Sequence, residues 1–256
     1  MIKKFDFPIG FLHEKRTIHM YLPDSYLQSN KKYPTLYMFD GHNLFIDEDA
    51  TFGRAWRLQC ELEQYGKECI VVGIECSHHG NQRLAEYSPY PFFEPSLGEF
   101  QGWGKQTMDF IIRELKPYID THYPTRSDRK NTWIGGSSCG GLMALYAGFR
   151  FSYAFSKALV ISPYIQPTFD QLMQELKITA IHPQTMFYIS WGVKEEKNDT
   201  FFIQETKQCT EIVNILQNKR IPTYMNVRLD GRHCEESWQE EAKDYIPFLF
   251  DIKIPE

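Results

Sequence analysis

The stretch Asn131 to Ala147, NTWIGGSSCGGLMALYA, constrains the chain more than any other. Thr132-Trp133-Ile134 favours a β-strand, and Leu142, Met143, Leu145 and Tyr146 continue as a helix. Between them lies a tight, glycine-flanked turn, Gly136-Ser137-Ser138-Cys139-Gly140, which fits G-x-S-x-G, the nucleophile elbow. In that turn a serine sits at the tip of a strained corner, and the glycines two positions away leave room for the neighbouring strand and helix. The spacing selects Ser138, because Ser137 would need a glycine where Cys139 stands. Five letters match by chance often, so a turn that only packs a helix onto a strand is the competing reading. A phosphate cradle fits less well: the turn lacks the Gly-Lys-Ser/Thr ending of a P-loop and the G-x-G-x-x-G spacing of a dinucleotide site.

The rest of the chain repeats the strand-then-helix pattern. Strands are predicted at Lys15–Leu22, Tyr33–Phe39, Cys69–Ile74, Ala154–Ser162, Gln184–Trp191 and Thr223–Leu229. Helical spacing appears over Gly53–Tyr65, through Met108, Ile111, Ile112, Leu115 and Ile119 with a bend at Pro117, and over Glu235–Phe250. A further helix over Thr200–Asn218 is predicted to bury Ile203, Ile212, Ile215 and Leu216. Alternation from start to finish argues for a doubly wound, mainly parallel sheet with helices on both faces. No linker, repeat or low-complexity tract divides residues 1–256, so one α/β domain is the expectation. One segment breaks the rhythm: His78 to Trp103, rich in proline and aromatic residues, reads as a long loop, and loops of that length tend to be functional.

Composition bounds the chemistry. The chain has 42% hydrophobic and 24% charged residues, enough to bury a sizeable core. A formal charge of -5 with no basic cluster argues against a nucleic-acid partner. MIKKFDFPIGF lacks the apolar run of a signal peptide and no stretch approaches a membrane span, so a cytoplasmic protein without a membrane partner is expected. The six cysteines show neither C-x-x-C pairing nor zinc spacing and are expected to be free thiols. Oligomeric state is not legible.

A serine hydroxyl needs a base, usually histidine, held by a carboxylate. With an elbow serine the expected order is serine, acid, histidine. Of eight histidines only His182 and His233 follow Ser138, and His182 precedes the strand that should present the acid. His233, in the Leu229–His233 loop leaving the last strand, is therefore the candidate base. The acid should lie just past Trp191, where Glu195 is the first choice, Asp199 the second and Glu196 the third. An oxyanion hole would take the backbone N–H of Cys139 and donors from the turn Asp40-Gly41-His42-Asn43, with Gly41 letting the backbone approach substrate; an ordinary turn is an equal alternative.

Six segments, YPTLYMFDGHNLF, QRLAEYSP, ELKPYIDTHYPT, IGGSSCGG, GVKE and GRHCEESW, together resemble, in order, the putative esterase family of α/β-hydrolases. That family includes enterochelin-esterase-like and esterase D-like proteins, feruloyl esterases and, more distantly, S-formylglutathione hydrolases and mycolyltransferases. The resemblance covers about residues 10 to 250. It implies a single α/β-hydrolase domain, Ser138 as nucleophile, His233 as base, Glu195 as acid and Gly41-His42 as the oxyanion loop. Cys139 departs from the methionine usual in relatives, which alters packing more than chemistry because only its backbone is required.

The expected activity is therefore carboxylic-ester hydrolysis through an acyl-enzyme, on a small-molecule ester, with no metal or organic cofactor. An acyltransferase with the same triad, or a ligand-binding protein on the same fold, are the alternatives. Tyr87, Tyr90, Phe92 and Phe93 are candidates for an acyl or aryl pocket, with plain packing as the rival reading. Arg83 and Glu86 are expected to pair with each other and fix the long loop, and Trp238 to anchor a helix. His78-His79, two adjacent histidines without a spaced partner, are expected to face solvent, and His42 near Asp40 is thin evidence for a metal.

Overall fold

The apolar runs of the sequence become the interior of one large sheet in a computed structural model, which describes residues 1–28, 30–195 and 199–252. The chain enters through an antiparallel pair, β1 (Ile2–Ile9) and β2 (Glu14–Tyr21). There follow β3 (Thr35–Phe39), α1 (Leu58–Gln64), β4 (Ile70–Ile74) and a short α2 (Gln82–Glu86). A small hairpin, β5 (Phe92–Glu94) and β6 (Gly98–Phe100), precedes α3 (Gly104–Phe110) and α4 (Lys116–His122). The elbow pair β7 (Thr132–Ser138) and α5 (Cys139–Arg150) is followed by β8 (Lys157–Pro163), α6 (Phe169–Ile178) and β9 (Met186–Gly192). The chain ends with α7 (Asp199–Asn218), β10 (Thr223–Arg228), α8 (Glu235–Glu240) and α9 (Ala242–Leu249).

The main sheet runs β1-β2-β4-β3-β7-β8-β9-β10, with every neighbouring pair from β4 to β10 parallel. Alternate residues of a strand face opposite sides, and the core divides accordingly. Tyr37, Phe39, Val72, Ile134, Val160 and Ile189 pack with α3–α7 on one face. Leu36, Met38, Val71, Trp133, Leu159 and Tyr188 pack with α1, α8 and α9 on the other. This is the doubly wound, mainly parallel sheet of an α/β-hydrolase.

Four expectations need correction. β1 is missing from the sequence reading although IKKFDFPI alternates as a half-buried strand does; its Phe5 and Phe7 lie on Tyr118 and Phe110, and its Pro8 is tolerated on an edge strand. Ile212, Ile215 and Leu216 of α7 pack on the core as expected, but Ile203 is 66% exposed, because the inward stripe at the start of the helix runs through Phe202 and Glu205 instead. The segment 78–103 is not an irregular loop but carries α2 and the β5–β6 hairpin. Before Pro117 the helix widens into a π-helical turn, Ile111–Leu115, which accommodates the missing proline N–H. All six cysteines are free. Among the described residues no helix is long and apolar enough to cross a membrane.

Candidate active site

The end of β7 carries the geometry its sequence demanded. Ser138 has φ 57° and ψ −123°, a sparsely populated conformation costing on the order of 1–3 kcal/mol. The corner is held by close packing: a Cβ on Gly136 would come within 2.7 Å of the Gly140 carbonyl carbon, and one on Gly140 within 2.9 Å of Phe39 Cβ. Tyr164 N–H donates to the Ser138 carbonyl at 2.9 Å, tying the elbow to the end of β8. Ser137 stays within the strand and is 6% exposed.

Glu195 and His233 meet across the ends of β9 and β10. The β10 loop is fastened to the β9 loop by Val193 N–H on the Arg228 carbonyl and Lys194 N–H on the Gly231 carbonyl. His233 Nδ1 then lies 2.8 Å from Glu195 Oε2, and the carboxyl is 2% exposed. The other oxygen, Oε1, accepts from Ser162 Oγ at 2.7 Å and from Gly192 N–H at 2.6 Å. Ser162 in turn accepts from Trp238 Nε1 at 3.0 Å, and the Trp238 ring meets His233 edge-on with centroids 5.2 Å apart. Trp238 is thus both a buried anchor of α8 and part of the acid's support. Of the rival acids, Asp199 is exposed at the start of α7, and Glu196 lies outside the described residues.

Ser138 and His233 open on one cavity of about 480 Å³. No hydrogen bond joins them; a base–nucleophile contact is often loose without substrate. The Cys139 thiol, buried beside the elbow, is within hydrogen-bonding reach of Ser138. Cys139 is the first residue of α5, where an N–H has no intrahelical acceptor.

The turn after β3 stands on the same cavity. Asn43 N–H closes onto the Asp40 carbonyl and Leu44 N–H onto that of Gly41, so the N–H groups of Gly41 and His42 have no acceptor within the turn. Gly41 also serves a purpose the sequence did not show: its Cα packs on the adjacent strand, and a Cβ would fall 2.4 Å from the Gly73 carbonyl carbon. Asp40, at φ 57°, holds the turn through a two-pronged pair with Arg83, at 2.8 and 2.7 Å. Burial alone would raise the Asp40 carboxyl, but the Arg83 charge and hydrogen bonds outweigh it and hold it below the usual range.

The partners of the 78–103 segment are redistributed. Arg83 pairs with Asp40 rather than Glu86, and Glu86 instead meets Arg16 of β2 and accepts from Ser77 N–H. Tyr87 is 1% exposed; its hydroxyl donates to the Ile74 carbonyl and accepts from Asp40 N–H, so it braces the turn from within the core. Tyr90 donates to Glu175, Phe92 stacks on Phe100, and Phe93 is 62% exposed. None of these aromatics lines the cavity of Ser138. Its wall is mixed, with polar His42, Thr51, His78, Asn81 and Arg83 beside apolar Phe52, Leu84 and Trp238. Tyr87 and Phe92 instead line a smaller pocket with Leu84, Cys139 and Leu142. His78 is half exposed as expected, but it also reaches His42, their rings edge-on at 4.9 Å.

A strained serine at a strand-to-helix corner, a buried carboxyl on a histidine and a shared cavity at the carboxyl ends of a parallel sheet define the α/β-hydrolase class. The family model described as "Putative esterase" matches residues 10–248, and the chain belongs to that family of esterases. It is 25% identical over 200 residues to the uncharacterized protein YbbA of Bacillus subtilis, covering 75% of this chain and 76% of that one. It is 22% identical over 253 residues to the siderophore enterobactin esterase of Emericella nidulans, covering 85% and 77%. Among solved structures, a ferulic acid esterase aligns with a TM-score of 0.73 over 99% of both chains at 20% identity, a likeness of fold.

Proposed function

We propose that the protein hydrolyses a small-molecule carboxylic ester through an acyl-enzyme, with Ser138 as nucleophile, His233 as general base and Glu195 as the acid. The observation that carries this reading is the 2.8 Å contact of His233 Nδ1 with the buried Glu195, on the same cavity as the strained Ser138. With Nδ1–H directed at Glu195, Nε2 is the nitrogen left to accept the serine proton. Ser138 Oγ attacks the ester carbonyl as His233 takes its proton, and the N–H groups of Cys139 and of Gly41 or His42 receive the developing oxyanion. The alcohol leaves with the proton from His233, and water, activated by the same nitrogen, releases the acid. Relatives named for siderophore esters support a small-molecule ester as substrate.

The test is covalent labelling joined to kinetics. A fluorophosphonate should add one adduct, located by peptide mass spectrometry on Ser138, and Ser138→Ala should lose hydrolysis of p-nitrophenyl acetate while remaining folded. An adduct elsewhere, or a folded Ser138→Ala variant at wild-type rate, would reject the assignment.

A further inference from the structure

Three side chains that are distant in sequence converge on the wall of the ester cavity. His42, Cys76 and His78 each offer one donor atom, and these atoms lie within 4.8 Å of one another. The convergence comes from sheet register. Phe39 of β3 is opposite Ile74 of β4, so the turns that follow the two strands leave the sheet side by side.

The hydrogen bonding of each histidine matches ligation. His42 is 4% exposed, with Nε2 at 3.0 Å from Thr51 Oγ1, while its Nδ1 is buried without any partner. A buried imidazole nitrogen left unpaired costs on the order of 1–3 kcal/mol, and it calls for an explanation. His78 has Nε2 at 2.5 Å from Glu75 Oε1, which leaves its Nδ1 as the outward donor. Glu75 Oε2 is itself held by His19 at 3.1 Å. Histidines that bind metals commonly present one nitrogen to the ion and fix the other on a carboxylate or hydroxyl, as Glu75 and Thr51 do here. Cys76, 4% exposed, completes a set of two imidazoles and one thiol.

We propose that His42, Cys76 and His78 form a binding site for one zinc-class divalent ion in the wall of the ester cavity. Two nitrogens and a sulfur suit zinc or cobalt and disfavour magnesium and calcium, which seek oxygen. Tetrahedral zinc at about 2.0–2.3 Å from its ligands needs donors roughly 3.3–3.6 Å apart. The donors must therefore draw in by about an ångström, and the half-exposed His78 side chain is free to supply most of that movement. On binding, the Cys76 S–H bond breaks; the sulfur keeps the electron pair and bonds the ion, and the proton leaves to solvent. Three protein ligands leave a fourth position for water from the cavity. The hydrolytic steps proposed above do not use the ion, and the site stands or falls separately from them.

The test uses cobalt as a spectroscopic substitute for zinc on the full chain. Titration of the reduced protein with Co²⁺ should give one equivalent of tetrahedral visible absorption, with a near-ultraviolet sulfur-to-cobalt charge-transfer band, and stoichiometric Zn²⁺ should bleach both. His78→Ala, a half-exposed position unable to unfold the core, should weaken Co²⁺ binding at least about tenfold. Cys76→Ser should abolish the charge-transfer band, and His79→Ala should leave the titration unchanged. Absence of the band in wild type, its persistence in Cys76→Ser, or equal affinity in His78→Ala would overturn the proposal. Equal loss in His79→Ala would do so too, by revealing an adventitious surface site.

Discussion

At the scale of single residues, the proposed mechanism depends on how firmly the proposed acid, Glu195, is held. Glu195 receives three hydrogen-bonding groups: the His233 ring, the Ser162 hydroxyl and the Gly192 N–H. Its removal deprives the histidine of both orientation and charge support, so Glu195→Ala should lower kcat by at least about a hundredfold. Asp199→Ala, at an exposed position, should leave the rate near wild type; the reverse pattern would reassign the acid. Trp238 acts at one remove. Its indole N–H occupies a lone pair of Ser162 and so turns the Ser162 proton toward Glu195. Trp238→Phe keeps most of the packing but frees that hydroxyl, and should lower kcat about tenfold with little change in KM. A fall in KM and kcat together, or none in either, would reduce Trp238 to an anchor. Ser138 and His233 could be proposed from the sequence because glycine spacing and chain order are local, one-dimensional constraints. For the acid the same order left Glu195, Asp199 and Glu196 open, and the family resemblance favoured Glu195. The meeting of Ser162 with Trp238 was not legible, since it depends on α8 closing over the end of β8. The placement of Tyr87 and Phe92 beside Cys139 and Leu142, rather than on the larger cavity of Ser138, was not legible for a related reason: aromatic character does not say which side of a segment faces which pocket.

At the scale of elements, the neighbouring turns after β3 and β4 carry much of the site. Gly41 and Gly73 touch across adjacent strands with no room for a Cβ on either, since one built on Gly73 would lie 2.8 Å from Gly41 Cα. The Asp40–Arg83 pair and the Tyr87 hydroxyl fasten the first turn from the other side. Gly41→Ala must therefore push the turn off β4, carrying with it the N–H groups proposed for the oxyanion. A loss of stability of about 1–3 kcal/mol is expected, accompanied by a fall in kcat of at least about tenfold from misplaced donors. Denaturant titration and steady-state kinetics on the same preparation check both. A destabilised variant with an unchanged kcat would remove this turn from the oxyanion site. The turn was legible in the sequence, but the packing of its glycine on Gly73 was not, because pairing of β3 with β4 is a property of sheet order and no motif records it. The same ordering hides the meeting of His42 with His78.

At the scale of the whole molecule, a buried carboxyl makes the stability of the fold depend on pH. Glu241 lies between α8 and α9, 2% exposed, accepting from the Tyr188 hydroxyl of β9 at 2.8 Å with Arg228 of β10 at 3.7 Å. Burial raises its pKa from 4.5 to about 7, against the opposing pull of its hydrogen bonds and of Arg228. A carboxyl whose pKa is higher folded than unfolded binds more protons in the native state, so its linkage favours folding at low pH and penalises it as pH rises. Below about 4.5 both states are protonated and Glu241 contributes no slope; from there to about 7 the unfolded state gains by ionising first; above about 7 the penalty is constant. The full difference amounts to about 3 kcal/mol. Glu241→Gln keeps an acceptor for Tyr188 and cannot ionise. Its stability relative to wild type should accordingly rise between pH 5 and pH 8 by roughly 2–3 kcal/mol, as measured by urea denaturation at each pH. Other titrating groups are common to both proteins and cancel in the comparison. Parallel stability curves for the two proteins would show that Glu241 is ionised throughout, with Arg228 rather than burial deciding its charge.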